Sequence, residues 1–186
     1  EYDLGDAKFV ILAPNSDNYE DLNDYSIVVK LTFGNNSFIF TGDAEAVSEN
    51  EILSKGYNIK ADVLKVGHHG SRSSTTENFL RKISPDYAVI SVGKDNNYGH
   101  PSQEVLNLLK KENISVYRTD ERGTIIAISD GNKLSFEFDR DTDIHGRMPV
   151  PKPKATPASS PVTTPTPVTT PKPSSSTPKP SPATTP

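Results

Sequence analysis

A chain of 186 residues with no cysteine excludes both disulfides and thiolate metal sites. No run of about 18 apolar residues occurs, so no segment reads as a membrane-spanning helix. The net charge is −4, and four lysines in an acid-free C-terminal tail leave the remainder at −8. That balance argues against a broad basic surface gripping nucleic-acid backbone, but not against a metal site, because a divalent cation brings its own positive charge.

In chain order, residues 8–13 (KFVILA) form an apolar, β-branched run bounded by Pro14 and read as a strand. Residues 15–24 are polar and read as a loop. Residues 26–33 and 37–41 flank Gly34-Asn35-Asn36, which is a hairpin signal. Gly42-Asp43 ends the second of these strands. Residues 44–55 put Val47, Ile52 and Leu53 at helical spacing and stop at Gly56, a residue suited to terminating a helix.

The pattern then alternates. Residues 62–67 predict a strand, 75–83 a short helix ending before Pro85, and 87–93 a strand. Residues 102–112 predict a helix with Val105, Leu108 and Leu109 on one face, and 114–118 another strand. Residues 123–129 and 133–138 form a last hairpin turning through Asp130-Gly131-Asn132. An antiparallel hairpin followed by strand–helix repeats implies a layered α/β (α+β) domain, with helices covering a mixed sheet. There is no internal repeat of solenoid length.

Asp139, Asp141 and Asp143 have the spacing of a calcium loop. Ile144 and Val150 stand where such a loop needs Gly and Glu, so the site is rejected. His145, in the charged exit from the domain, is given no role. Beyond residue 148 the composition changes abruptly. Thirteen of the sixteen prolines lie in residues 149–186, among Thr, Ser, Ala and Lys, with no aromatic residue, no Leu or Ile and no acid. Such a stretch cannot bury enough apolar surface to offset the roughly 1–2 kcal/mol per residue lost on ordering a backbone. The expected organisation is a domain over residues 1–148 and a disordered Pro/Thr/Ser-rich linker over 149–186, leading to a further C-terminal domain. A spacer of this kind, with no cysteine, suits an exported protein, so the expected location is extracellular or at the cell surface.

Three polar clusters fall at the C-terminal ends of predicted strands: Thr41-Gly42-Asp43, His68-His69-Gly70-Ser71 and Asn97-Tyr98-Gly99-His100-Pro101. Layered α/β domains bind ligands at that edge. Three of the four histidines and one carboxylate would converge there, and these are ligands that Zn²⁺ or Mn²⁺ accepts when no thiolate is present. Gly70 permits close backbone approach, and Ser71, Ser73 and Ser74 offer hydroxyls to an oxyanion.

Six segments in order, Asn23-Asp24-Tyr25-Ser26, FTGDAE (residues 40–45), ADVLKVGHHGSRSS (61–74), SPDYAVISVG (84–93), NNYGHPS (96–102) and RTDERG (118–123), resemble the hydrolase domain of ComEC-type competence proteins. The resemblance runs over residues 7–138. It implies a metallo-β-lactamase fold, an αββα sandwich with two divalent metal ions, Zn or Mn, at one edge. It also implies that Asp43 bridges the metals, that His100 ligates the second, and that His68 or His69 contacts the scissile phosphate or aids the leaving group, with Ser71 beside them. Either histidine of that pair, His69 included, could instead be a metal ligand. DNA is the implied substrate, cleaved by metal-assisted hydrolysis of a phosphodiester; lactone, ester or thioester hydrolysis is the alternative on this scaffold. The superfamily's H-x-H-x-D-H motif is absent, and Asn23–Ser26 stands where another superfamily histidine is usual. The expectation is therefore a C-terminal half-sandwich, inactive by itself. A non-catalytic cell-surface module is the reading from a different class.

Overall fold

The computed structural model describes residues 1–139; the tail assigned to residues 149–186, and His145, lie outside the described residues. Seven strands lie side by side in chain order in one sheet: β1 (Tyr2–Leu4), β2 (Ala7–Ala13), β3 (Val28–Phe33), β4 (Asn36–Phe40), β5 (Val63–Lys65), β6 (Tyr87–Ile90) and β7 (Ser115–Arg118). β1 to β4 pair antiparallel, and β4 to β7 pair parallel. Helices α1 (Ala46–Ser54), α2 (Glu77–Ile83) and α3 (Gln103–Lys111) make the three parallel crossovers. A one-turn helix α4 (Thr119–Arg122) follows, and β8 (Ile125–Ser129) pairs with β9 (Leu134–Phe138) in a separate ribbon.

Chirality decides where the helices go. Crossovers between parallel strands are right-handed, and here each new strand is added on the same side of the last. All three helices therefore land on one face. Ile52, Phe79, Leu80, Ile83, Val105 and Leu109 from the helices are buried in one cluster with Ile39, Leu64, Ala88 and Ile90 from the strands.

Strand alternation sends the next residues to the opposite face. Leu31, Phe33, Phe38, Phe40, Val63 and Val89 line an open groove there of about 650 Å³, with Lys65 and Ser91 at its polar end. The β8–β9 ribbon lies over the β6–β7 end, where the Phe136 ring is 4.8 Å from the rings of both Tyr87 and Tyr117, and its Ile125, Ala127 and Ser129 line one side of the groove. The sheet is thus apolar on both faces and helix-covered on one. That is a mixed α/β fold of the expected class.

The last hairpin is held at its tip. Asn35 N donates to Gly131 O at 2.6 Å, and Ser129 Oγ donates to Asn36 Oδ1 at 2.7 Å. Gly34 has φ +56°, and a Cβ there would lie 2.2 Å from Gly131 O, so the two turns meet this closely only because position 34 carries no side chain.

Several boundaries differ from those expected. Strand β1 pairs with β2 through Tyr2 stacked on Phe9, and the polar stretch before β3 contains a 3₁₀ turn at Leu22–Tyr25. The hairpin loop is two residues, with Phe33 paired to Asn36. β6 stops at Ile90, which frees the Ser91 carbonyl for a role described below.

Candidate active site

Parallel strands β4, β5 and β6 all point their carboxyl ends at the same edge, and the polar clusters at 41–43, 66–71 and 91–100 meet there. Asp43 is set by the 3₁₀ turn before β3: Ser26 Oγ accepts from Asp43 N at 3.1 Å. The same turn serves α1, which has no side-chain cap of its own. Buried Asp24 accepts from Glu45 N and Ser48 N, both at 3.1 Å, and so caps α1 from outside the helix. The residues standing where a superfamily histidine is usual thus hold the Asp43–Glu45 loop.

His68 (φ 42°, ψ 49°) and His69 (φ 54°, ψ 19°) both adopt left-handed backbone, followed by Gly70 at φ +82°. Such conformations cost about 1–3 kcal/mol each for a non-glycine residue and persist only where surroundings enforce them. The enforcement is visible. His68 N donates to Gly42 O at 3.1 Å, Ser71 N to His68 O at 2.8 Å, and Ser102 N to Gly70 O at 2.8 Å. A Cβ on Gly70 would sit 2.6 Å from Pro101 Cβ, so the histidine turn packs directly on the His100-Pro101 segment. As a result the His68 and His100 rings are 5.7 Å apart, and His68 and His69 are 6.2 Å apart.

The two adjacent histidines have different partners. His69 Nδ1 lies 2.8 Å from Ser91 O, and its Nε2 lies 3.9 Å from Asp43 Oδ1. A carbonyl can only accept, so Nδ1 carries a proton, and Nε2 is the nitrogen that faces the Asp43 carboxylate. His68 Nδ1 lies 2.8 Å from Glu45 Oε1. That same oxygen accepts from Ser73 Oγ at 2.7 Å and from Asn23 Nδ2 at 3.2 Å. Ser71 Oγ is turned inward onto Ser73 Oγ at 2.8 Å, in a largely buried position.

His100 stacks on exposed Tyr98, with centroids 5.9 Å apart. Its pKa is pushed below the ordinary histidine value by burial first, and then by the neighbouring His68 and His69. On the other side of Asp43, burial lowers the pKa of the Lys65 ammonium, and the Asp43 charge partly opposes that.

Asp43, His68, His69 and His100 are therefore gathered at one edge. Sequence reasoning assigned no role to Glu45, although it stands two residues past Asp43 in the same motif, at the start of α1. Nothing in the sequence marks the Ser91 carbonyl, because any residue there supplies one.

The sheet order, the helices on one face and this edge site define a class, and residues 18–94 match the family model of the metallo-beta-lactamase superfamily. Residues 18–94 thus carry the metallo-β-lactamase superfamily match, and the homologues of the chain include competence proteins. The chain is 48% identical over 122 residues to ComE operon protein 3 of Bacillus subtilis (strain 168), covering 66% of this chain and 16% of that protein. It is 36% identical over 118 residues to Competence protein ComA of Neisseria gonorrhoeae, covering 63% and 17%. It is 38% identical over 117 residues to Recombination protein 2 of Haemophilus influenzae, covering 63% and 15%. The chain thus spans about a sixth of the length of these relatives.

The superfamily usually binds divalent metal ions. Here Asp43 and His69 offer two donors that converge, but no group of three or more His, Cys, Asp or Glu among the described residues is arranged to hold a metal ion. By themselves these residues do not fit a complete metal centre.

Proposed function

We propose that this edge is one part of the active site of a metal-dependent phosphodiesterase acting on DNA. The observation that supports this best is the unequal partnering of His68 and His69. His69, fixed by the Ser91 carbonyl with Nε2 toward Asp43, has the arrangement of a metal-binding imidazole, whose other nitrogen is anchored to a carbonyl or carboxylate. Asp43 and His69 would contribute two donors, with the rest coming from outside the described residues. His100, next to His68, completes the wall of the site and is a further donor in this reading. His68, fixed by a carboxylate, has the arrangement of a proton-transferring histidine. When the scissile P–O bond breaks, the protonated ring delivers its Nε2 proton to the departing oxygen and is left as the Nδ1–H form. Ser71 acts indirectly, through Ser73. The competence and recombination names of the relatives, with the family resemblance, support DNA as substrate over a lactone, ester or thioester.

The test joins a superfamily half-domain carrying H-x-H-x-D-H ahead of Glu1 and assays cleavage of single- and double-stranded DNA with Mn²⁺ or Zn²⁺. The 186-residue chain alone should not cleave, and the joined protein should. Asp43→Ala should abolish turnover and metal binding together. His68→Ala should slow turnover roughly 10²–10⁴-fold while metal stays bound. Metal-dependent cleavage that survives Asp43→Ala would overturn the assignment. A joined protein that folds but binds no metal and cleaves nothing would leave the non-catalytic cell-surface module.

A further inference from the structure

Glu45 is the most heavily engaged carboxylate of the site edge, and the proposed chemistry does not otherwise use it. Its Oε1 accepts three hydrogen bonds, from His68 Nδ1, Ser73 Oγ and Asn23 Nδ2. Its backbone N–H is fixed by Asp24. Each of these partners belongs to a different piece of the fold: the histidine turn after β5, the serine loop leading to α2, and the 3₁₀ turn before β3. Three-quarters or more of the side chains of both His68 and Glu45 is shielded from solvent, so water competes poorly for their bond. A carboxylate that only anchored loops would not need a 2.8 Å contact to the ring of a histidine held in left-handed backbone.

We infer that Glu45 is a positioning residue for His68. It holds the neutral ring as the Nδ1–H tautomer and leaves Nε2 for the substrate, while Ser73, backed by Ser71, fixes the carboxylate. This rests on the proposed role of His68 and deepens it. A carboxylate is acceptor-only, so the 2.8 Å contact requires a proton on Nδ1. Neutral histidine in water favours the Nε2–H form, which would offer the leaving oxygen a nitrogen unable to take up and return the proton. Pinning the tautomer removes that unproductive form. When the ring is protonated, the second proton sits on Nε2; after transfer to the departing oxygen the ring returns to the same Nδ1–H form. The Nε2 proton is taken up from solvent water before each turnover and leaves on the departing oxygen, so atoms and charge balance. His69 reaches the same tautomer by a separate route, through Ser91, so the two rings are independent of each other.

That independence supplies an internal control. Imidazole ¹⁵N shifts and two-bond ¹H–¹⁵N couplings distinguish the tautomers and can be read on the 186-residue chain at a pH where both rings are neutral. Assignment comes from His68→Gln and His69→Gln. In the wild type both His68 and His69 should carry the proton on Nδ1. In Glu45→Ala, His68 should revert to a mixture dominated by Nε2–H while His69 stays on Nδ1. Glu45→Gln, whose amide oxygen can still accept, should restore the Nδ1–H form. Ser73→Ala should loosen it partly, which keeps the test usable should Glu45→Ala fold poorly. An Nε2–H signal for His68 in the wild type, or an unchanged Nδ1–H signal in a folded Glu45→Ala, overturns the proposal. None of these readings requires turnover. Loss of the pinned tautomer defeats the positioning role, and a pinned tautomer without DNA cleavage in the joined protein defeats the functional reading.

Discussion

Three consecutive residues with positive φ, two of them histidines, cannot hold their shape on local preference alone. Gly70 carries much of that burden, because its φ of +82° and its contact with Pro101 both exclude a side chain. Gly70→Ala should destabilise the protein by about 1–3 kcal/mol through the backbone alone. It should also push the His100 segment off the histidine turn. The check pairs a denaturant titration with nuclear Overhauser contacts between the His68 and His100 rings, which should weaken. An unchanged midpoint with unchanged ring contacts would show that the turn does not depend on Gly70. Asp43, His68, His69, His100 and Ser71 were all legible as site candidates, since small polar residues after apolar runs mark strand ends. Their division of labour was not legible, because it depends on the Glu45 carboxylate and the Ser91 carbonyl, which approach from 23 and 22 residues away in the chain.

At the scale of elements, α3 is capped by its own Ser102, whereas the N-termini of α1 and α2 are held by other elements. Asp24 caps α1 from the turn before β3, and buried Glu49 on α1 accepts from Thr75 N and Thr76 N at the start of α2. Burial raises the Glu49 pKa above its ordinary 4.5, outweighing the two backbone N–H bonds that favour the charged form. A folded-state pKa above the unfolded one means that the native protein binds the proton more tightly. This contribution to stability is present in full below pH 4.5 and is lost as pH rises through the raised value. Glu49→Gln cannot ionise and lacks that dependence. The wild-type thermal midpoint, measured relative to Glu49→Gln, should therefore fall as pH rises from 4.5 toward neutrality. A difference that is flat with pH would show that Glu49 does not carry it. The helices themselves were readable from apolar spacing, but the contacts from Asp24 to α1 and from Glu49 to α2 were not, since Asp24 lies in a stretch that reads only as polar loop.

For the molecule as a whole, strand order decides what is exposed. Consecutive right-handed crossovers stack the three crossover helices on one face, so among the described residues the groove lined by Leu31, Phe33, Phe38, Phe40, Val63 and Val89 is flanked by the β8–β9 ribbon and by no crossover helix. Leu4 and Phe40 are large and exposed along it. Apolar patches of this kind drive association. Residues 1–148 at rising concentration should show increasing sedimentation coefficients and bind a fluorescent apolar dye, and Phe40→Glu with Leu31→Glu should reduce both. A monomer at every concentration with no dye binding would show the groove to be self-sufficient.

Sequence by itself determined the alternation of strands and helices, because apolar periodicity depends only on which side of an element meets the core. It also determined the family, through six motifs in order, and the edge at which the chemistry gathers, because parallel strands place their C-terminal ends together. Only the tertiary structure decided that the three crossover helices share one face, that the last hairpin forms a two-stranded ribbon of its own, and which histidine answers to a carboxylate and which to a carbonyl. Those outcomes depend on crossover handedness summed over three connections and on hydrogen bonds between residues distant in the chain. Neither leaves a local trace in composition or spacing.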